Sequence, residues 1–193
     1  MKLETKRLTL REWQTSDVDD LMRGLGHLSV AQWLAFVPHP YTRRHATAWL
    51  DYCAANAKKR PRRSYDFAIA LKSKAKVIGG LSLDRIDRFQ GTAGGGIWIN
   101  AEYQNRGYGR EAFAARLEFA FERLKLRRIE NGFLQGNRAS RKLLEGFGYE
   151  PEGVRRKGCR CMADGKLKDE CLMALLKENW HGGRDSPRKK QSC

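Results

Sequence analysis

The sequence predicts a mixed α/β domain of the α+β kind, a mostly antiparallel sheet with flanking helices. Three observations carry this. Segments of period two and segments of period near 3.6 follow one another along the chain. Between residues 65 and 100 three strand patterns are joined by links too short for a crossover, so they must pair antiparallel. At 193 residues, with no internal repeat, the chain is long enough to bury one core.

In order along the chain, Leu8 and Leu10 alternate with Arg7, Thr9 and Arg11, as in a half-buried strand. Thr15 or Ser16 then caps a helix with Val18, Leu21, Met22 and Leu25 on one face. A second apolar segment, "VAQWLAFV", ends at Pro38 and Pro40, and residues 43–59 form a helix carrying Ala46, Trp49, Leu50 and Cys53. "YDFAIAL", "KVIGGLSLDRI" and "GGGIWIN" are strands, the first two joined by the lysine-rich turn Lys72–Lys76. The next helix places Phe113, Leu117, Ala120, Phe121 and Leu124 on one side. "RRIENGFLQ" is a strand, and "NRASRKLLEGFGY" a short helix capped by Asn137. Asp164-Gly165 turns a hairpin between about 153–162 and 167–177. The expected organisation is one domain over residues 1–180 and a basic, mobile tail over 181–193.

Composition narrows the function. The 41% apolar content excludes disorder over most of the length, and no apolar run approaches a membrane span. The N-terminus lacks a signal-peptide core, which points to a cytoplasmic protein. Five cysteines without framework spacing read as thiols; Cys159-x-Cys161 lacks a second pair or histidine, so no metal is expected. The net charge of +16 favours phosphate-rich partners, including proximity to RNA or ribosomes. It is spread along the chain without a nucleic-acid-binding signature, so no dedicated nucleic-acid site is expected.

The stretch with chemistry in it is "AEYQNRGYGREAFAARLEFAF", residues 101–121. Its Gly107-x-Gly109-x-x-Ala112 spacing matches a dinucleotide fingerprint, with Glu130 downstream. The residues "NAEYQNR" nevertheless separate it from the preceding strand, and only one β-α-β unit is available. A P-loop is excluded because no Gly-Lys-Ser/Thr follows. What remains is a run of amides, unobstructed by side chains at a helix entry, that can converge on a pyrophosphate.

Gln104, Gly107 and Gly109 fill the positions of the Q/R-x-x-G-x-G/A loop, and here the chain resembles the GNAT acetyltransferases. "GIWINAEYQNRGYGREA" resembles that family's fourth strand, loop and helix. "NRASRKLLEGFGYEPEG" resembles the later strand-to-helix segment of its RimJ/RimL-type ribosomal-protein N-terminal acetyltransferases. "RLTLREW" and "GKLKDECLMALLKENW" fit that type's two ends, so the similarity spans about residues 3–180. It implies a GNAT-type, strongly twisted sheet with a splayed central strand pair. It also implies acetyl-CoA as cosubstrate, without a metal. The pantetheine would lie along the backbone of Ile97, Trp98 and Ile99. Amides of Gln104, Asn105, Arg106, Gly107, Tyr108, Gly109 and Arg110 would hold the pyrophosphate, with Asn137 and Ser140 across the gap.

Such an enzyme passes acetyl directly to an amine in a ternary complex, and the reaction needs a proton acceptor and donors to the developing negative charges. Where many GNAT proteins carry a tyrosine as thiol donor, this chain has Leu144, and the resemblance assigns the role to Ser140. Glu130 is the leading candidate base, with Asp84 and Glu102 as alternatives and His39 in the loop where the acceptor side is expected. The favoured acceptor is a protein N-terminal α-amine, such as that of a ribosomal protein. A small amine (aminoglycoside or polyamine) is the alternative, and a catalytically weak acyl-CoA-binding or RNA-associated protein the third reading. A homodimer is compatible with all of these.

Overall fold

The computed structural model describes residues 1–74 and 76–182, so all of the expected tail beyond Gly182 lies outside the described residues. Among the described residues one sheet contains nine strands: β1 (Lys2–Glu4), β2 (Leu8–Glu12), β3 (Tyr65–Leu71), β4 (Val77–Asp87), β5 (Thr92–Gly94), β6 (Ile97–Ile99), β7 (Arg128–Leu134), β8 (Glu150–Arg160) and β9 (Leu167–Leu176). The order is β1-β2-β3-β4-β5-β7-β9-β8, with β6 paired to β4. Five α-helices accompany it: α1 (Val18–Leu25), α2 (Leu28–Ala31), α3 (Arg43–Lys58), α4 (Tyr108–Glu118) and α5 (Arg138–Glu145).

The central strand β3 shows why the chain folds this way. All seven of its residues are buried, because both faces of the sheet are covered. Phe67 and Ile69 face a core shared with Phe113 and Leu117 of α4. Ala68 and Ala70, alternating with them, pack with Val77 and Trp13 on the opposite face. The period-3.6 stripe of α4 meets the period-two face of β2, β3 and β4, and this contact is the main core.

The structure corrects two sequence expectations, the cap of the first helix and the single strand at "GGGIWIN", and adds detail to two others. The first strand is a hairpin, since β1 pairs with β2 around a turn closed by Thr5 N–H to Leu8 O at 3.0 Å. The first helix is not capped by Thr15 or Ser16; the Gln14 N–H donates to Asp17 Oδ2 at 2.8 Å, and Arg11 holds the same buried carboxylate with two bonds of 2.8 Å. Only the start of "VAQWLAFV" is helical, and turns carry the rest. "GGGIWIN" is not one strand, because β5 and β6 are separated at Gly95-Gly96.

That break positions the site. β5 and β7 are the one parallel pair among the described strands, in register at Thr92↔Arg128 and Ala93↔Ile129. Beyond it β6 stays with β4 (Gly79↔Ile99, Gly80↔Trp98, Leu81↔Ile97), while β7 continues along β9. The two central strands therefore diverge from a closed end near Gly95 to an open end, where α4 and α5 begin. The splayed pair expected from the resemblance is present.

Candidate active site between β6 and β7

The β6 bank is an exposed backbone edge. Asn100 N–H donates to Ile78 O at 2.8 Å, and Ser82 N–H to Gly96 O at 2.9 Å. By the alternation of an antiparallel ladder, Trp98 then turns its peptide groups toward β4, while Ile97 and Ile99 turn theirs into the gap. Of the three residues expected to line a pantetheine arm, these two have peptide groups on the side of the gap, with Ile99 O already accepting from Gln104 Nε2–H.

The loop at the open end is shaped by two left-handed residues, Asn105 (φ 58°) and Gly107 (φ 77°). Gly107 needs its freedom here, since an L side chain rarely adopts that conformation. Gln104 anchors the loop by donating Nε2–H to Ile99 O at 2.9 Å. The first intrahelical bond runs from Glu111 N–H to Gly107 O at 3.0 Å, so the Tyr108 and Gly109 amides lie before it and project from the helix end. A Cβ on Gly109 would sit 3.5 Å from Ile99 Cγ1, just where β6 meets this amide cluster. The residues present fit a pyrophosphate: amides, a helix N-terminus and missing side chains converge on one place.

A clamp that sequence reasoning missed holds this loop. The Arg7 guanidinium donates to Glu111 Oε2 at 2.6 Å and to Arg106 O at 3.0 Å, and lies 4.4 Å from the centre of the Tyr108 ring. Thr5 Oγ1–H and Arg7 N–H both donate to Glu111 Oε1 at 2.7 Å. Burial opposes the Glu111 charge, but these hydrogen bonds outweigh it and its pKa falls below the ordinary value. No local pattern links residues 5–7 to residue 111, and only the fold brings them together. Of the loop's own arginines, Arg110 lies against the end of α5, 3.5 Å from Gly146 O and 4.7 Å from the Phe147 ring centre. Arg106 is exposed.

On the β7 bank, Asn137 caps α5 by accepting Ser140 N–H on Oδ1 at 3.1 Å, as the sequence predicts for a helix start. Both residues are half-buried at the open end. Leu144 is buried in the main core. Glu130 is placed differently from Ser140. It lies four residues before the end of β7, roughly 13 Å along the strand, and its exposed carboxylate accepts from Arg128 Nε–H at 3.0 Å. Arg128 also holds Glu152. The fold thus sets Asn137 and Ser140 beyond the C-terminal end of β7, on the open side of the gap, and leaves Glu130 four residues back along the strand.

Of the remaining candidates, Asp84 lies at the closed end, accepting from Ser82 Oγ–H at 3.1 Å and 2.8 Å from Arg85 Nη1. Glu102 is exposed in the turn after β6, and His39 is exposed in the loop after α2. Among the described residues no cluster of metal-ligating side chains occurs.

The sequence profile of the GNAT acetyltransferase domain matches residues 7–150. The chain belongs to the GNAT acetyltransferases. This GNAT protein is 27% identical over 180 residues to "Uncharacterized N-acetyltransferase p20" of Bacillus licheniformis, covering 93% of this chain and 98% of that one. It is 25% identical over 179 residues to "Putative ribosomal N-acetyltransferase YdaF" of Bacillus subtilis, covering 92% and 95%. Among solved structures, Mycobacterium smegmatis RimJ in complex with CoA-disulfide superposes with a TM-score of 0.77 at 24% identity, covering 89% of this chain and 82% of that one. The GNAT chain is an acetyltransferase with this family's open, mostly antiparallel sheet. No described helix is long and apolar enough to cross a membrane.

Proposed function

We propose that this acetyltransferase takes acetyl from acetyl-CoA and passes it to the α-amine of a protein N-terminus in the cytoplasm, with ribosomal proteins the first class to test. The observation that carries the acceptor class is the wall beside the β7 bank. The loop after α2 is bound to the β8–β9 turn, by Met162 N–H to Ala35 O at 3.0 Å and Lys168 Nζ–H to Gln32 O at 2.8 Å. Trp33 of this loop stands against Gly136, directly before Asn137. On the same wall Phe36, Met162 and Leu167 are 85%, 55% and 48% exposed. An exposed apolar ledge suits a peptide better than a polyamine.

Bound in the cleft, the thioester supplies an activated acetyl group. The chain's residues bind, orient and stabilise. The amides from Gln104 to Arg110 hold the pyrophosphate, and Ile97 and Ile99 hold the arm as an added strand. Ser140, with its amide fixed by Asn137, places a hydroxyl donor for the departing thiolate. Glu130 is a base only in competition with Arg128. This favours an acceptor needing little help: an α-amine with pKa about 7.7–8 is roughly one-tenth neutral at pH 7, a lysine below a thousandth. The free thiols of Cys53, Cys159, Cys161 and Cys171 suit a reducing compartment.

Incubation with acetyl-CoA and a panel of N-terminal peptides, spermidine and aminoglycosides tests the acceptor. Turnover of peptides is expected, and turnover of small amines alone would overturn the reading. Acetyl-CoA at saturation should raise the melting temperature.

A further inference from the structure

A second cleft lies at the end of α3, apart from the gap between β6 and β7. The helix buries Leu50 and Cys53, but near its end Ala54 and Ala57 carry only methyl groups. A cleft of about 610 Å³ remains between this end and the strands β2 and β3. That is within the size range of small-molecule sites. Trp13, directly after β2, lines it with the two alanines, and Asp66 of β3 lies among them.

Asp66 is 8% exposed and lacks a full set of partners. Ser64 Oγ–H donates to its Oδ2 at 3.1 Å, and among the described residues nothing donates to Oδ1. That oxygen is not sealed inside the protein, so it opens on the cleft. The nearby cations are engaged elsewhere. Arg62 donates Nη1–H to Glu12 Oε1 and Nε–H to Ser64 O, both at 2.8 Å, with its guanidinium 4.2 Å from the Tyr65 ring centre. Arg60 donates to Ala57 O at 3.0 Å and Lys59 O at 2.8 Å, closing the end of α3. Burial, with the charge of Asp84 adding to it, pushes the Asp66 carboxyl above its ordinary range. A carboxylate here is costly until a donor from outside supplies the missing bond and charge.

The rest of the cleft decides what kind of donor fits. Lys58 and Arg60 are exposed cations at its mouth. Glu12 is already paired with Arg62 and with the amino terminus, 3.4 Å from its Oε2. A ligand with two positive charges would bring one of them against these cations. One ammonium on an apolar stem instead meets a carboxylate and a lining that suits it. We infer that this cleft binds a primary monoamine with a small apolar body, its ammonium donating to Asp66 Oδ1 and its body lying against Trp13, Ala54 and Ala57. The site shares no residue with the acetyl-transfer cleft and does not depend on the acceptor reading above.

Calorimetric titration of the whole chain with 2-phenylethylamine tests this. The comparators are 2-phenylethanol, which keeps the ring and lacks the charge, and 1,4-diaminobutane, which carries a second charge. Saturable binding of the monoamine is expected, with both comparators weaker by about tenfold or more. Asp66→Asn keeps the shape of the side chain and removes its charge, and it should weaken the monoamine by about tenfold or more. Ala54→Trp, at an exposed position of α3, should fill the cleft and remove binding, and it decides alone if Asp66→Asn does not fold. The inference is overturned if the monoamine shows no saturable binding, or if its binding is unchanged in either variant. It is overturned equally if the alcohol or the diamine binds as tightly as the monoamine.

Discussion

In the loop at the open end of the cleft the groups offered to the proposed pyrophosphate are backbone amides, from Asn105 to Gly109, braced from outside by Arg7 and Glu111. At the closed end the decisive groups are side chains, Asn131, Tyr149 and the buried Arg116. The contrast suits two tasks. A pyrophosphate is recognised by shape and charge, which amides at a helix start provide with little side-chain entropy to lose. The closed end has a structural task, tying β4 to β7 through Arg116 where β6 and β7 part.

Substitutions can break or sharpen this contrast. The largest effect is expected from Ser140→Ala, the side-chain donor of the proposed chemistry, with kcat falling about 10²-fold and acetyl-CoA affinity holding. An affinity loss equal to the loss in kcat would place Ser140 with the binding groups instead. Next comes Gly107→Val, which forces a branched side chain into φ 77°. The strain, about 1–3 kcal/mol, should appear chiefly as a roughly tenfold or larger rise in the dissociation constant for acetyl-CoA by calorimetry. Unaltered affinity would mean that the loop does not bind through its backbone. The smallest effect is expected from Glu111→Gln, about 1 kcal/mol of stability in urea denaturation at neutral pH. Because the folded pKa of Glu111 lies below 4.5, its contribution is present above the unfolded pKa and lost as pH falls through the folded value. The gap between native and Glu111→Gln proteins should therefore close below about pH 4.5, and a gap unchanged at low pH would contradict the clamp.

The open end was readable because its signal is local. Gln104, Gly107 and Gly109 stand within six residues, and their spacing states a backbone geometry directly. The closed end was not readable, because it is made by register. "GGGIWIN" reads as one strand until β6 follows β4 and β7 follows β9. Arg116 leaves a trace in the sequence: it stands between Phe113 and Ala120 at the i+3 place of the helix's own apolar stripe, beside Leu117. A charged residue on a buried stripe is a stronger sign of function than one on a solvated face. Glu130 shows the reverse error of scale. It lies on the expected strand, but distance along that strand separates it from Ser140, and spacing in a sequence does not reveal which end of a diverging pair a residue occupies.

The far side of the sheet has a consequence for assembly. β8 pairs only with β9 among the described strands, so its outer ladder is an edge open to strand addition. That edge carries Arg155, Arg156, Lys157 and Arg160, and a bulge interrupts its register between Arg155 and Cys159. Two copies meeting edge to edge would set like charges against one another along an irregular ladder, which blocks a continuous intermolecular sheet. The basic edge thus opposes its own pairing with a second copy of itself.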